Sequence, residues 1–290
     1  MAESPKTSSK AALRHSTLYW PDGTLTLKAE DGTLYNVNRQ LLALKSDCFS
    51  GMLTLPIPGH PPSNLELPAH FSAAECQVFL EFVFNVLPWM EDTPALGRLC
   101  ALLKTCDFFG AESGTRYAIH HLEDHPELGP VLRYELAEKY HIDRWAVRAF
   151  FELMSESILE LSEADEKCLG WVAYRSLVRT HATVAQYRLG LALFPPDAVH
   201  CHFCYDNNYC GNSWAKNWVG ISGGLGTLLR DEMSGSELRE ALDGMEVPGM
   251  TGECRLLTIT SIQDGPTGKS LLRKEEDIIE EAVQALIKDW

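Results

Sequence analysis

Long hydrophobic runs are missing from this chain. No stretch of about 18 apolar residues occurs, the length a membrane-spanning helix needs. The opening residues, MAESPKTSSKAALRHS, lack the apolar segment of a secretory signal. Basic runs are missing as well: 40 Asp and Glu face 25 Lys and Arg, a formal net charge of −15. So acidic a surface repels phosphate backbones, which excludes nucleic acid as the main partner. Catalytic motifs are also absent. There is no Gly-x-Ser-x-Gly elbow and no His-Glu-x2-His helix, and no carboxylate pair stands apart from the many acids. The nearest approach to a nucleotide motif is Gln263-Asp264-Gly265-Pro266-Thr267-Gly268-Lys269-Ser270. Gln263 stands where a phosphate loop needs its first glycine, and about twenty residues follow Ser270, too few for the parallel sheet such a loop serves. Gly220 to Gly226 is glycine-rich but lacks dinucleotide-loop spacing. The expectation is a non-enzymatic protein of the cytoplasm or nucleus.

What is present is an ordinary globular composition. The chain has 290 residues, 45% of them hydrophobic, enough for about two domains. The residues to Ser16 or Thr17 read as a disordered tail. Leu25–Ala29 and Thr33–Val37 alternate around Asp31-Gly32, a hairpin signature. Gln40–Leu53 reads as one helix, with Leu41, Leu44, Cys48, Phe49 and Met52 at helical spacing. A Pro-rich turn follows over Leu55–Pro62. Asn64–Leu67 is a short strand candidate. Ser72 with Glu75 forms a capping box ahead of a helix over 73–84. Thr93-Pro94 opens a helix to Phe109, Gly110 stops it, and Gly114–Asp124 is a further helix.

From Pro126 the pattern is helical: 128–140, 142–161, and one or two helices over 163–187. Phe194-Pro195-Pro196 breaks it. Leu238–Leu242 is a short helix or turn, and Leu256–Ile262, rich in β-branched residues, reads as a strand. Glu275–Ile287 is an amphipathic helix with Ile278, Ile279, Ala282, Val283 and Leu286 on one face.

The N-terminal residues carry a resemblance. Asp22, Leu25-Thr26-Leu27, Asp31-Gly32-Thr33-Leu34-Tyr35, Val37-Asn38-Arg39, Leu42, Ser46, Phe49 and Met52-Leu53 fall in the order of a BTB/POZ domain. Phe79–Asn85 is similar to that family's Leu-x-Phe-Ile-Tyr-Thr helix end, and Leu99–Phe109 to the helix pair after it. Asn38 departs from the pattern, standing where the family usually has His. The whole chain resembles fungal BTB proteins with an uncharacterised C-terminal region.

The resemblance implies an α+β interaction protein rather than an enzyme. Its parts would be a tail (1–17), a BTB/POZ domain (18–125), a helical extension (126–195) and a small Cys/Trp-rich α/β domain (196–290). It also implies homodimerisation and a role as scaffold or substrate adaptor, for instance of a cullin-based ubiquitin ligase with an unknown target. Docking as in the family would use Gln40–Leu53 and Thr93–Phe109, with Phe49 and Met52 read as core.

Of nine cysteines, read as reduced thiols, the chemically pointed ones are Cys201-x2-Cys204-x5-Cys210. Two thiolates two residues apart can grip one Zn²⁺ from a single turn. Cys210 would be a third ligand, and Cys254, His200 or His202 the fourth. A closed set of four would make the zinc structural. The competing readings are plain reduced thiols and a redox pair, the latter lacking its βαβ context. A zinc-stabilised transcriptional or signalling regulator, and a Cys/His enzyme, are the alternative functions. Trp214 and Trp218, four apart, read as a buried pair on one helix face. His120, His121 and His125 read as a solvated helix end rather than a metal site.

Overall fold

The computed structural model describes residues 13–54, 64–86, 94–219, 240–264 and 273–290. It is α+β, with one small mixed sheet and a majority of helix among these residues. Contacts divide it into two compact units, Met1–Leu128 and Gly129–Trp290.

In the first unit the expected hairpin forms. β2 (Leu25–Lys28) and β3 (Thr33–Val37) run antiparallel, pairing Leu25 with Val37 and Leu27 with Tyr35. All four side chains are buried, so the period-two alternation has put one face into the core. Asp31 Oδ1 accepts the Thr33 N–H at 2.8 Å, and Gly32 takes the positive φ of 91° that closes the turn. β4 (Asn64–Glu66) adds to β2 in parallel, with a Lys28–Glu66 ion pair of 2.8 Å across the exposed side.

Residues 13–17, read as tail, are instead part of β1 (Leu13–Tyr19), which pairs in parallel with β3 and gives the order β1-β3-β2-β4. Its polar sequence hid it: only Leu18 is buried, so no alternation announces the strand. Residues 1–12 lie outside the described set.

The single helix expected over Gln40–Leu53 is two, α1 (Arg39–Lys45) and α2 (Asp47–Thr54). Asn38 caps α1, its side chain accepting the N–H groups of Gln40 and Leu41 at 2.9 and 3.0 Å. Ser46 breaks the run in an extended conformation; its hydroxyl donates to the Phe109 carbonyl and accepts the Phe49 N–H. The break rotates the apolar set. Leu42 and Phe49 are buried, whereas Leu41 and Leu44 are 47% and 76% exposed and Cys48 is exposed too.

α3 (Ala73–Phe84) begins with the expected capping box of Ser72 and Glu75. α4 (Leu96–Phe109) starts later than Thr93-Pro94 suggests, behind Ala95, which makes no side-chain cap; Thr93 itself lies outside the described residues. Gly110, at φ 62°, returns its N–H to Cys106 and Asp107 and ends α4 before α5 (Glu112–Glu123). Phe109 centres the core, with ring centroids 4.8, 5.2 and 5.5 Å from Phe79, Phe49 and Phe71. The buried Glu81 carboxylate is held by Arg98 at 2.8 Å and Gln77 at 2.7 Å.

The second unit holds α6 (Pro130–Tyr140), α7 (Asp143–Met154), a 3₁₀ turn (Ile158–Glu160), α8 (Glu163–Leu193), α9 (Asn207–Trp218), a helical turn at 240–243, α10 (Gly252–Asp264) and α11 (Arg273–Ile287). α8 is kinked at Gly170, whose φ of 72° and ψ of 160° no side-chain-bearing residue adopts readily. α11 buries Ile279, Val283 and Leu286 and packs on α7 and α8.

The strand expected at Leu256–Ile262 is helix α10. Its buried residues, Cys254, Thr258, Ile259 and Ile262, fall at helical spacing, and the Thr258 hydroxyl is satisfied within the helix by the Cys254 carbonyl at 2.8 Å. The α/β character expected of the C-terminal part therefore gives way to helix among the described residues. No helix of the described residues is long and apolar enough to cross a membrane.

Candidate metal centre

Three pieces of the second unit converge on one sulfur-rich spot. The first is the extended segment after α8. Val199 is fastened to α10: its N–H donates to Thr258 Oγ1 at 2.9 Å. That fixes His200 and Cys201 beside the helix. The chain then turns, the Cys204 N–H donating to the Cys201 carbonyl at 3.1 Å.

The second piece is α9, started by Asp206, whose carboxylate accepts the Tyr209 N–H at 3.0 Å. Cys210 lies in its first turn. The third is α10, with Cys254 in its first turn, the Cys254 N–H donating to Thr251 Oγ1 at 3.3 Å. Two of the cysteines thus sit at helix N-termini, where the backbone dipole favours a thiolate.

The floor beneath is apolar. Trp214 and Trp218 are both buried, with centroids 5.2 Å apart, as their spacing indicates. Each indole N–H has a backbone acceptor: Pro196 O at 2.8 Å for Trp214 and Ala192 O at 3.2 Å for Trp218. Leu242, Met245, Val247, Ile259 and Ile262 complete this cluster, and Met250 joins it to the thiols.

His200, Cys204, Cys210 and Cys254 bring one ligand atom each within 4.8 Å of one another. His200 Nδ1 is 3.7 Å from Cys204 Sγ. Tetrahedral zinc–sulfur bonds of 2.3 Å set ligand–ligand edges of about 3.8 Å, so the set can close on a metal ion. Cys210 and Cys254 are buried, while His200 and Cys204 are half-buried at the rim.

Cys201, placed in the ligand set by sequence spacing, lies beside Cys254 and outside that quartet. The two sulfurs are 3.5 Å apart, and the Cys201 N–H donates to Cys254 Sγ at 3.2 Å. His202 is exposed and meets the Phe203 ring edge-on, with centroids 5.5 Å apart.

The electrostatics fit a metal-ready group of thiols. Burial pushes the Cys254 thiol up, but the Cys201 N–H, the Thr251 hydroxyl and the Cys201 and Cys204 thiols outweigh it and pull it down to about 6. Burial, with the neighbouring sulfurs, pushes Cys204 up to about 11 and raises Cys201 and Cys210 as well. One thiolate is therefore favoured while its neighbours keep their protons, the state in which a divalent cation displaces protons and takes their place. As a nucleophile the group is poorly set up. Cys254 is fully buried, and Cys204, beside His200, holds its proton.

The remaining sequence candidates separate cleanly. All nine cysteines are free. His125 is buried with its ring spent on backbone: Nδ1 accepts the Glu127 N–H at 3.2 Å, and Nε2 lies 3.2 Å from the Pro94 carbonyl. The residues before the phosphate-loop look-alike belong to a helix, not the strand such a loop requires. Gly220–Gly226 and most of that look-alike lie outside the described residues.

A scan against protein-family models finds no match, and a search of curated proteins finds none.

Proposed function

We propose that this protein is a protein–protein interaction module whose first unit is a BTB/POZ-type domain acting as scaffold or substrate adaptor. The observation that carries the reading is the succession of hairpin, helix pair, short strand and further helices, with α1 presenting Leu41 and Leu44 to solvent. Large exposed leucines on a short capped helix are costly to leave in water and suit a docking surface. Phe49, by contrast, is core. Asn38, the residue that departs from the family pattern, has its own use as the cap of α1. The partners in this reading are a second copy of the chain, a cullin, and an unknown target chosen by the second unit.

The test is a binding titration of the full chain against the N-terminal half of a BTB-recognising cullin. Micromolar or tighter binding, weakened at least about tenfold by Leu41→Asp with Leu44→Asp, supports the adaptor role. No binding at tens of micromolar rules out the cullin and leaves a dimerising scaffold, read out by light scattering.

A second reading, a regulator stabilised by structural zinc, is favoured by what surrounds the thiols. Phe203, Tyr205 and Tyr209 are 83%, 102% and 63% exposed on and beside the cysteine turn. A zinc ion there would fix the turn and with it this aromatic surface for a protein partner in nucleus or cytoplasm.

A further inference from the structure

We infer that the centre is a three-thiolate, one-imidazole zinc site made by Cys204, Cys210, Cys254 and His200 Nδ1, and that Cys201 is not a ligand but the hydrogen-bonding neighbour that orients Cys254. This assignment rests on the zinc reading above and goes against the Cys-x2-Cys spacing, which pairs Cys201 with Cys204.

Geometry separates the two cysteines of that pair. The four atoms of the quartet lie within 4.8 Å of one another, and Cys201 Sγ is not among them. Cys201 is instead committed to its neighbours through three groups. Its N–H donates to Cys254 Sγ at 3.2 Å, its sulfur lies 3.5 Å from that atom, and its carbonyl accepts the Cys204 N–H at 3.1 Å. It therefore bonds to two of the ligands without joining them, as outer-layer donors do at metal sites.

His200 is turned the opposite way. Its Nδ1 points to Cys204 at 3.7 Å, while Nε2 sits over Gly211, 3.9 Å from where a side chain there would begin. Gly211 follows the ligand Cys210, so the imidazole is backed by α9 on its far edge and faces the sulfurs with its near one.

Charge and softness agree. Zn²⁺ with three thiolates and a neutral imidazole leaves one negative charge, against two for four thiolates, in a chain that already carries −15. Soft sulfur and imidazole donors select zinc over magnesium or calcium. The ligands come from the turn, α9 and α10, so the ion would add a direct link among three segments already joined by the Val199–Thr258 bond and the tryptophan cluster.

The full chain is stripped of metal and titrated with Co²⁺, which adopts the same tetrahedral geometry and reports each thiolate through sulfur-to-metal charge transfer. One ion per chain with the intensity of three thiolates is expected. Cys201→Ser keeps that intensity, and His200→Ala weakens Zn²⁺ binding by at least about 100-fold, since a ligand matters more than its outer support. His200→Cys keeps the ion and raises the intensity by a third, which decides the matter even where Cys201→Ser fails to fold. Loss of intensity in Cys201→Ser with His200→Ala unchanged, or no gain in His200→Cys, overturns the assignment. If the unaltered chain binds neither Co²⁺ nor Zn²⁺ at micromolar concentration, the zinc reading itself falls, and the assignment with it.

Discussion

Arg188 and Glu275 meet in a two-point ion pair, Nε to Oε2 at 3.0 Å and Nη2 to Oε1 at 2.5 Å, joining α8 to α11 across 87 residues of chain. Their side chains are only 13% and 7% exposed, so both charges have left water and depend on each other. The fork geometry uses two of the guanidinium's donors at once, which a lysine does not reproduce.

Removing one partner strands the other. Glu275→Ala is expected to destabilise the second unit by roughly 3–5 kcal/mol, read by denaturant unfolding. Replacing both together, Arg188→Met with Glu275→Leu, is expected to recover most of that loss. An additive double-mutant cycle would show that the pair is not coupled.

The first unit offers a steric counterpart. A side chain at Gly114 would begin 2.3 Å from Cys106 Sγ and 3.1 Å from Phe82 Cε1, so α5 touches α4 there without room for a methyl. Gly114→Ala is expected to lower the stability of this unit by about 1–3 kcal/mol despite alanine's better helix propensity. Adding Cys106→Ala removes the offending sulfur and should restore part of it. A single Gly114→Ala variant as stable as the parent would mean that the helices are not packed this closely.

These contacts mark where the sequence was legible and where it was not. The hairpin at Asp31-Gly32 and the box at Ser72 and Glu75 obey local rules, and local rules are written in neighbouring residues. Leu256–Ile262 carries β-branched residues at Thr258, Ile259, Thr260 and Ile262, a local strand signal, yet it is helix. Its burial at Cys254, Thr258, Ile259 and Ile262 is imposed by the tryptophan pair and the thiols, partners distant in sequence. The quartet shows the same limit. Cys204, Cys210 and Cys254 stood out by residue type, but spacing favoured Cys201, and only the fold turns His200 inward and leaves Cys201 beside Cys254. The break between α1 and α2 was hidden likewise, because the Ser46 hydroxyl that marks it bonds to Phe109, 63 residues away.

The capping box predicts an acid limit. Burial alone pushes the Glu75 carboxyl up, but the Lys104 ammonium at 2.6 Å and the Ser72 N–H and hydroxyl at 2.8 and 3.0 Å outweigh it and hold it below its ordinary 4.5. A depressed carboxylate pKa stabilises the fold above the unfolded-state value and ceases to do so as pH falls through the folded one. The first unit is therefore expected to lose stability as pH drops below about 4.5, and Glu75→Gln to flatten that part of the profile while lowering stability at neutral pH. A profile with the same acid slope in both proteins would place the titrating groups elsewhere.

Metal removal makes the last prediction, and it is local. A ligand that binds only the folded state adds RT ln(1 + [L]/Kd), about 3 kcal/mol at 100 times its Kd. Zinc in the proposed centre would link the turn at Cys204 to α9 and α10, so stripping it should speed amide exchange in peptides spanning 198–218 and 251–262 and lower the unfolding temperature of the second unit. α3 to α5 carry none of these ligands, and their exchange should not change. Cys204→Ala should reproduce the stripped pattern and make the chelator ineffective, because the ion it removes is no longer held. Restoring Zn²⁺ to the unaltered chain should reverse the effect. Exchange unchanged by the chelator at 198–218 would mean that the thiols pack as reduced side chains and that the segment draws its order from Trp214, Trp218 and the Val199–Thr258 bond alone.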